Sequence, residues 1–152
     1  MAFWAWVSTR LVRLLLPRGM ATARNVASST VHQVLVIEDD VDIRESLMDF
    51  LEDHGYQPVG AGHGQEALQK LGGADLRPCL IILDLMMPVM DGRTFRQQQL
   101  MRPGLSEIPV LIMSASREVE KTAKELGTVG HLPKPLDLPT LLEVVRDHCV
   151  PA

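Results

Sequence analysis

The chain has no run of about 18 apolar residues, the least a bilayer-spanning helix needs, which excludes a standard membrane span. It has only two cysteines, Cys79 and Cys149. Two are too few for a disulfide scaffold or a Cys-rich zinc site, and such sparse usage fits a reducing, cytoplasmic setting. Cys79 lies just before an apolar run and reads as an inert apolar thiol. There is no internal repeat and no low-complexity tract. Acidic residues are missing from positions 1–30, which hold Arg10, Arg13, Arg18 and Arg24 and so carry +4. The other 122 residues carry −8, giving the net −4. A body this acidic argues against a nucleic-acid-binding surface. What is present is ordinary: 152 residues, 46% hydrophobic and 22% charged. That is one domain's length, enough to bury a core without staples.

The first thirty residues form a separate extension. Phe3, Trp4, Val7, Leu11, Leu14 and Leu15 share one helical face, with Arg10 and Arg13 off it, and Pro17 and Gly19 stop the pattern. Three readings stand open. The segment is a membrane-surface helix, a targeting sequence, or the product of a start placed too early, with Met20 the true one. Residues 21–31 read as a disordered lead-in. The domain proper is expected at 31–150.

From there the pattern alternates. Gln33–Ile37 is a continuous apolar, β-branched run, the mark of a buried parallel strand. Ile43, Leu47, Phe50, Leu51 and His54 follow helical spacing, with Asp40 as the cap and Gly55 as the stop. Strands are then expected at 57–61, 80–83, 109–113 and 131–133. Helices are expected at 65–71 and 93–101, around Val119, Ala123 and Leu126, and around Leu138, Leu141, Leu142 and Val145. Strict strand–helix alternation predicts a doubly wound, five-stranded parallel sheet with helices on both faces. Ligand sites in such sheets lie outside the carboxyl ends of the strands.

Those ends carry Glu38-Asp39-Asp40, Asp84, Ser114 and Lys134-Pro135. Carboxylates crowded together repel, and a hard cation such as Mg²⁺ relieves them when no thiol or imidazole is among the ligands. Ser114 and Lys134 would serve an anion. A site for a cation and an anion together suits phosphoryl transfer. His54, His63 and His148 read as surface residues, and Met86, Met87 and Met90 as loop packing.

The segments VLVIEDD (34–40), LIILDLMMPVMDG (80–92), VLIMSAS (110–116) and HLPKP (131–135) resemble, in order and spacing, the receiver domain of response regulators in two-component signalling. The resemblance spans residues 31–149 and implies a flavodoxin-like (βα)5 fold. It implies Asp84 as phosphoacceptor, Mg²⁺ held by Asp39, Asp84 and the backbone carbonyl of Met86, and a metal-bound water on Glu38. Lys134 and Ser114 would grip phosphoryl oxygens, a cis peptide bond would precede Pro135, and Gly92 would make the turn after the acceptor. The family's aromatic switch position is His131 here, so the implied switch pair is Ser114 and His131. The implied donor is a histidine kinase or a histidine phosphotransfer protein. The implied output is a docking face including Val119, Glu120, Lys124, His131 and Leu132 that meets an unknown protein target. With Ala152 as the last residue, the expectation is a stand-alone regulator that is not an enzyme beyond phosphotransfer and self-dephosphorylation. Met86 and Ser116, flanking the path of attacking water, predict slow loss of the phosphoryl group.

Two other classes fit less well. A haloacid-dehalogenase-type hydrolase needs an Asp two residues after its nucleophile, where this chain has Met86. A flavodoxin-like FMN binder needs a phosphate loop after the first strand, where Glu38-Asp39-Asp40 would repel the ligand. A receiver working without phosphate is disfavoured by the intact Asp84, Asp39, Ser114 and Lys134.

Overall fold

The computed structural model describes residues 32–150, so the expected extension over 1–30 lies outside the described residues. Strands and helices alternate throughout: β1 Gln33–Ile37, α1 Val41–Asp53, β2 Gln57–Ala61, α2 Gly64–Leu71, β3 Leu80–Asp84, α3 Gly92–Leu100, β4 Val110–Ser114, α4 Val119–Glu125, β5 Gly130–Pro133 and α5 Leu138–His148. The strands make one parallel sheet in the order β2-β1-β3-β4-β5. No helix among the described residues is long and apolar enough to cross a membrane.

The strands read as unbroken apolar runs because both faces of the sheet are covered. Alternate side chains of one strand enter opposite cores. Val34, Val36, Leu80, Ile82, Leu111 and Met113 pack with Leu47 and Leu51 of α1 and Leu141 and Val145 of α5. Leu35, Ile37, Ile81, Leu83 and Val110 pack with Ala67, Leu68 and Leu71 of α2 and Phe95 of α3. Ile112 meets Val119, Ala123 and Leu126, which seats α4 on that same second face. Each of the Val, Leu, Ile, Met and Phe side chains among these, taken out of water, contributes about 1.5–3 kcal/mol.

Four of the five helices start on a side-chain cap. Asp40 accepts from the Ile43 amide (3.1 Å), His63 from Glu66 (3.3 Å), Asp91 from Thr94 (2.7 Å) and Asp137 from Thr140 (3.1 Å). Each satisfies an amide that the first helical turn leaves unpaired. His63 therefore has a structural task that a plain surface reading missed. Among the described helices, α4 alone begins without a side-chain cap.

The chemistry is positioned by strand register. Ile37 lies beside Leu83, so the next residues, Glu38 and Asp84, emerge as neighbours at the carboxyl end of the sheet. Asp84 itself pairs with Met113, which carries β3 one residue further than the apolar run suggested and puts Ser114 next along β4. Ser114 pairs with Pro133, so Lys134 follows at the same edge, its amide donating to the Ser114 carbonyl at 3.0 Å. The Lys134–Pro135 peptide bond is cis.

One cysteine expectation is corrected. Cys79 and Cys149 are not free thiols; they are joined in a disulfide, with Cα atoms 5.3 Å apart across a sequence separation of 70. Spacing along the chain concealed this. Cys79 precedes β3 and Cys149 ends α5, and only the packing of α5 back across the sheet brings them together.

Candidate functional site

β1 and β3 are where the chain changes direction across the sheet, and the crevice outside their carboxyl ends holds the acidic cluster. Glu38 is 1% exposed and Asp84 3%, while Asp39 stands in solvent. One carboxylate oxygen from each of the three lies within 4.8 Å of the others. Three hard oxygen donors at that spacing, with no sulfur or imidazole among them, fit Mg²⁺.

Backbone donors and one ammonium hold the carboxylates in place. The Asp40 amide donates to Glu38 Oε1 at 3.2 Å, and the Met86 amide to Asp84 Oδ1 at 3.4 Å. Lys134 Nζ donates to Glu38 Oε2 at 2.6 Å and lies 3.4 Å from Asp84 Oδ1. Arg44 reaches back from α1 to the Glu38 carbonyl at 2.6 Å, a contact that nothing in the spacing of the sequence announces. Ser114 is buried, and its hydroxyl oxygen accepts from the Ser116 amide at 3.1 Å.

Electrostatics at the site are divided. Burial raises the carboxyl of Glu38 above its ordinary range, against the hydrogen bond from Lys134, and the nearby Asp84 charge adds to the rise. Burial also raises Asp84, against the Lys134 charge and the Met86 amide. Lys134 feels the same desolvation, which would lower it. Its side chain is 20% exposed, however, and the bond to Glu38 together with the Asp84 charge outweighs that, so its ammonium titrates higher than usual. Three carboxylates thus face one ammonium, which leaves the pocket short of positive charge and suited to a cation.

Gly92 has a steric reason to be glycine. A Cβ at that position would run into the Asp84 carbonyl oxygen and lie 2.9 Å from Leu85 Cα. The Gly92 amide instead donates to the Leu85 carbonyl at 3.1 Å, which closes the acceptor loop on itself. Within that loop Val89 takes a positive φ of 66°, unusual for a β-branched residue. Met87 and Met90 pack against the second core. Met86 does not: it is 75% exposed and lies outside that cluster, so the packing expected for it is corrected.

The expected docking face is also changed in part. Glu120 and Lys124 are exposed and form an i,i+4 pair at 2.7 Å. That bond, with the His131 ring nearby, holds the Glu120 carboxyl below its usual range. His131 is half-buried in β5. Val119 and Leu132, by contrast, are buried: Val119 packs with Ile112 under α4, and Leu132 enters the opposite core with Leu141 and Val145.

The sequence matches the family described as the response regulator receiver domain over residues 34–146. Among curated proteins it is similar to the response regulator MprA of Mycolicibacterium vanbaalenii, 36% identical over 116 residues that cover 75% of this chain and 48% of that protein. The chain thus spans about half the length of the curated relatives it matches. Among solved structures it is similar to the chemotaxis protein CheY4 of Vibrio cholerae, with 32% identity and a TM-score of 0.70 over 78% of this chain and 98% of that one. It is similar also to a response regulator receiver protein of Pseudomonas putida, with 31% identity and a TM-score of 0.71 over 77% and 97%.

Proposed function

Since the chain belongs to the response regulator receiver family, we propose that it is a phosphoacceptor signalling module whose acceptor is Asp84. The donor is a phosphohistidine on a histidine kinase or a histidine phosphotransfer protein. An Asp84 carboxylate oxygen attacks phosphorus, the P–N bond breaks, and its electron pair and a proton end on the donor imidazole. The product is an acyl phosphate on Asp84.

Each neighbouring side chain has a part in this. Lys134, 3.4 Å from Asp84 Oδ1, pairs with an oxygen of the incoming phosphoryl group, easing its hold on Glu38 as it does so. Ser114 donates its hydroxyl to another. Asp39, Asp84 and the Met86 carbonyl would hold Mg²⁺, and Glu38 a water on it. When bound, the ion supplies the positive charge that lets the carboxylates and the phosphoryl oxygens share one crevice. Engagement of Ser114 by the phosphoryl group draws on the β4–α4 connection. His131 on β5 and the exposed Glu120 and Lys124 on α4 pass that change to a protein partner. The chemistry ends at phosphotransfer and self-dephosphorylation, without turnover of a separate substrate.

The observation that carries this reading is the convergence of Glu38, Asp39 and Asp84 within 4.8 Å of one another, with the Lys134 ammonium on two of them. Incubation with Mg²⁺ and acetyl phosphate should add one phosphoryl group, about 80 Da by intact mass. Asp84→Asn should remove the adduct. Asp39→Asn should raise the Mg²⁺ concentration needed, since a ligating charge is lost. A full adduct on the Asp84→Asn protein would overturn the assignment.

A further inference from the structure

The chain's only two cysteines meet at the end of the sheet remote from Asp84. Cys79 is the residue before β3, whose five residues separate it from the acceptor crevice by about 15 Å. Cys149 follows α5, is 2% exposed, and packs in the core formed with Leu80, Leu141 and Val145. Cys79 is only half-buried. The pair is therefore asymmetric, with Cys79 a partly exposed residue and Cys149 a shielded one.

The surroundings accommodate both redox states. The Cys79 amide donates to the Gln33 carbonyl at 2.9 Å, and the Cys79 sulfur lies 3.2 Å from the same oxygen. In the reduced protein that oxygen is a ready acceptor for the S–H, so opening the bond strands no polar group. Cys149 sits where a helix normally frays. Its amide is held by the Val145 carbonyl at 2.8 Å, and the next residue, Val150, is exposed. Opening that last turn would expose its sulfur, at the cost of the contacts Cys149 makes with Leu80, Leu141 and Val145.

We propose that Cys79 and Cys149 form a thiol–disulfide exchange site, separate from the phosphoacceptor, whose co-reactant is a low-molecular-weight disulfide, and that its closure locks the end of α5 to the root of β3. Cys79, as thiolate, attacks one sulfur of the small disulfide. A mixed disulfide forms and one small thiolate leaves, taking up the proton Cys79 gave. Cys149, deprotonated in turn, attacks the Cys79 sulfur. The mixed bond breaks and the second small thiol leaves with that proton. The two protein thiols lose two electrons, and the small disulfide gains them as two thiols. Reduction runs the same steps backwards, beginning at the Cys79 sulfur, the one on the less buried residue.

α5 is capped at its start by Asp137, three residues after Lys134, and tied at its finish by the bond. Closing a loop with a sequence separation of 70 restricts the unfolded chain strongly, so the oxidised form should be the more heat-stable. Asp84 lies far from the bond, so both forms should accept phosphate.

The test uses the full chain, equilibrated with oxidised glutathione or with excess dithiothreitol, both without denaturant. Alkylation and intact mass should find no free thiol in the first sample and two in the second. The oxidised protein should melt roughly 10 °C higher. The Cys79→Ser, Cys149→Ser double variant should melt near the reduced protein and ignore both reagents. Two alkylated cysteines after glutathione treatment, a persistent glutathione adduct, or disulfide-linked dimers would each overturn the proposal. A bond that dithiothreitol opens only in denaturant would also overturn it, leaving a structural staple and no exchange site. Equal melting of the two forms would remove the lock.

Discussion

Asp84 is 3% exposed and has, among the described residues, one ammonium beside it, Lys134, at 3.4 Å. Desolvation raises its carboxyl above the ordinary Asp range, so the folded protein holds that proton more tightly than the unfolded chain does. The stability this gives is present below the ordinary Asp range and is lost as pH rises through the raised folded value. At neutral pH the ionised carboxylate therefore works against the fold. Asp84→Asn, nearly the same shape without the charge, should stabilise the Mg²⁺-free protein by about 1 kcal/mol at neutral pH. The gain should shrink as the pH is lowered into the acid range, as thermal melts across pH would show. A variant that melts below wild type at neutral pH would mean that the Lys134 pairing outweighs desolvation.

Beside it, Met86 stands 75% exposed and the Ser116 hydroxyl is engaged by the Glu118 amide at 3.2 Å. Neither brings an amide or carboxylate to orient a water for attack on the acyl phosphate. The phosphorylated state should last minutes or longer. The Met86→Asn, Ser116→Glu double variant should lose phosphate on the order of tenfold faster. Decay of both proteins at one rate would show that water needs no help from these positions.

At the scale of elements, the acceptor loop depends on α3 beginning at Gly92. Because a Cβ there would strike the backbone of Asp84 and Leu85, Gly92→Ala must push the loop away from the end of β3. A cost of about 1–3 kcal/mol is expected, together with slower phosphorylation from acetyl phosphate. Wild-type stability and rate in that variant would contradict the close approach. The elements themselves were largely legible in the sequence, because strands buried on both faces read as unbroken apolar runs and the capping residues Asp40 and Gly55 stand in plain view. Boundaries slipped by a residue where pairing or capping decided them, as at Asp84 and Gly92. What stayed hidden was contact between elements distant in sequence. Arg96 is buried on α3, yet it donates to the Leu126 carbonyl at 3.1 Å and the Gly127 carbonyl at 2.9 Å, holding the finish of α4 while its start has no cap. No periodicity marks an arginine for that task, any more than it paired Cys79 with Cys149.

For the molecule as a whole, four strands deliver their terminal residues to one edge because every strand is parallel and every register is fixed by a buried face. The residue types of the site could be read from the sequence, since each followed an apolar run. Their mutual geometry could not: that Lys134 is held at 2.6 Å by Glu38, closer than by Asp84, follows only from the fold. A phosphoacceptor module should place its acyl phosphate on one carboxylate and nowhere else. Borohydride reduction of the freshly phosphorylated protein, followed by peptide mass spectrometry, reads that position directly, because an aspartyl phosphate is reduced to homoserine while a free aspartate is untouched. Homoserine should appear at position 84 alone, and only when the phosphodonor and Mg²⁺ are both supplied. Reduction at Asp39 or Asp40, or phosphate retained on Ser114 with Asp84 unaltered, would contradict the assignment of Asp84 as the acceptor.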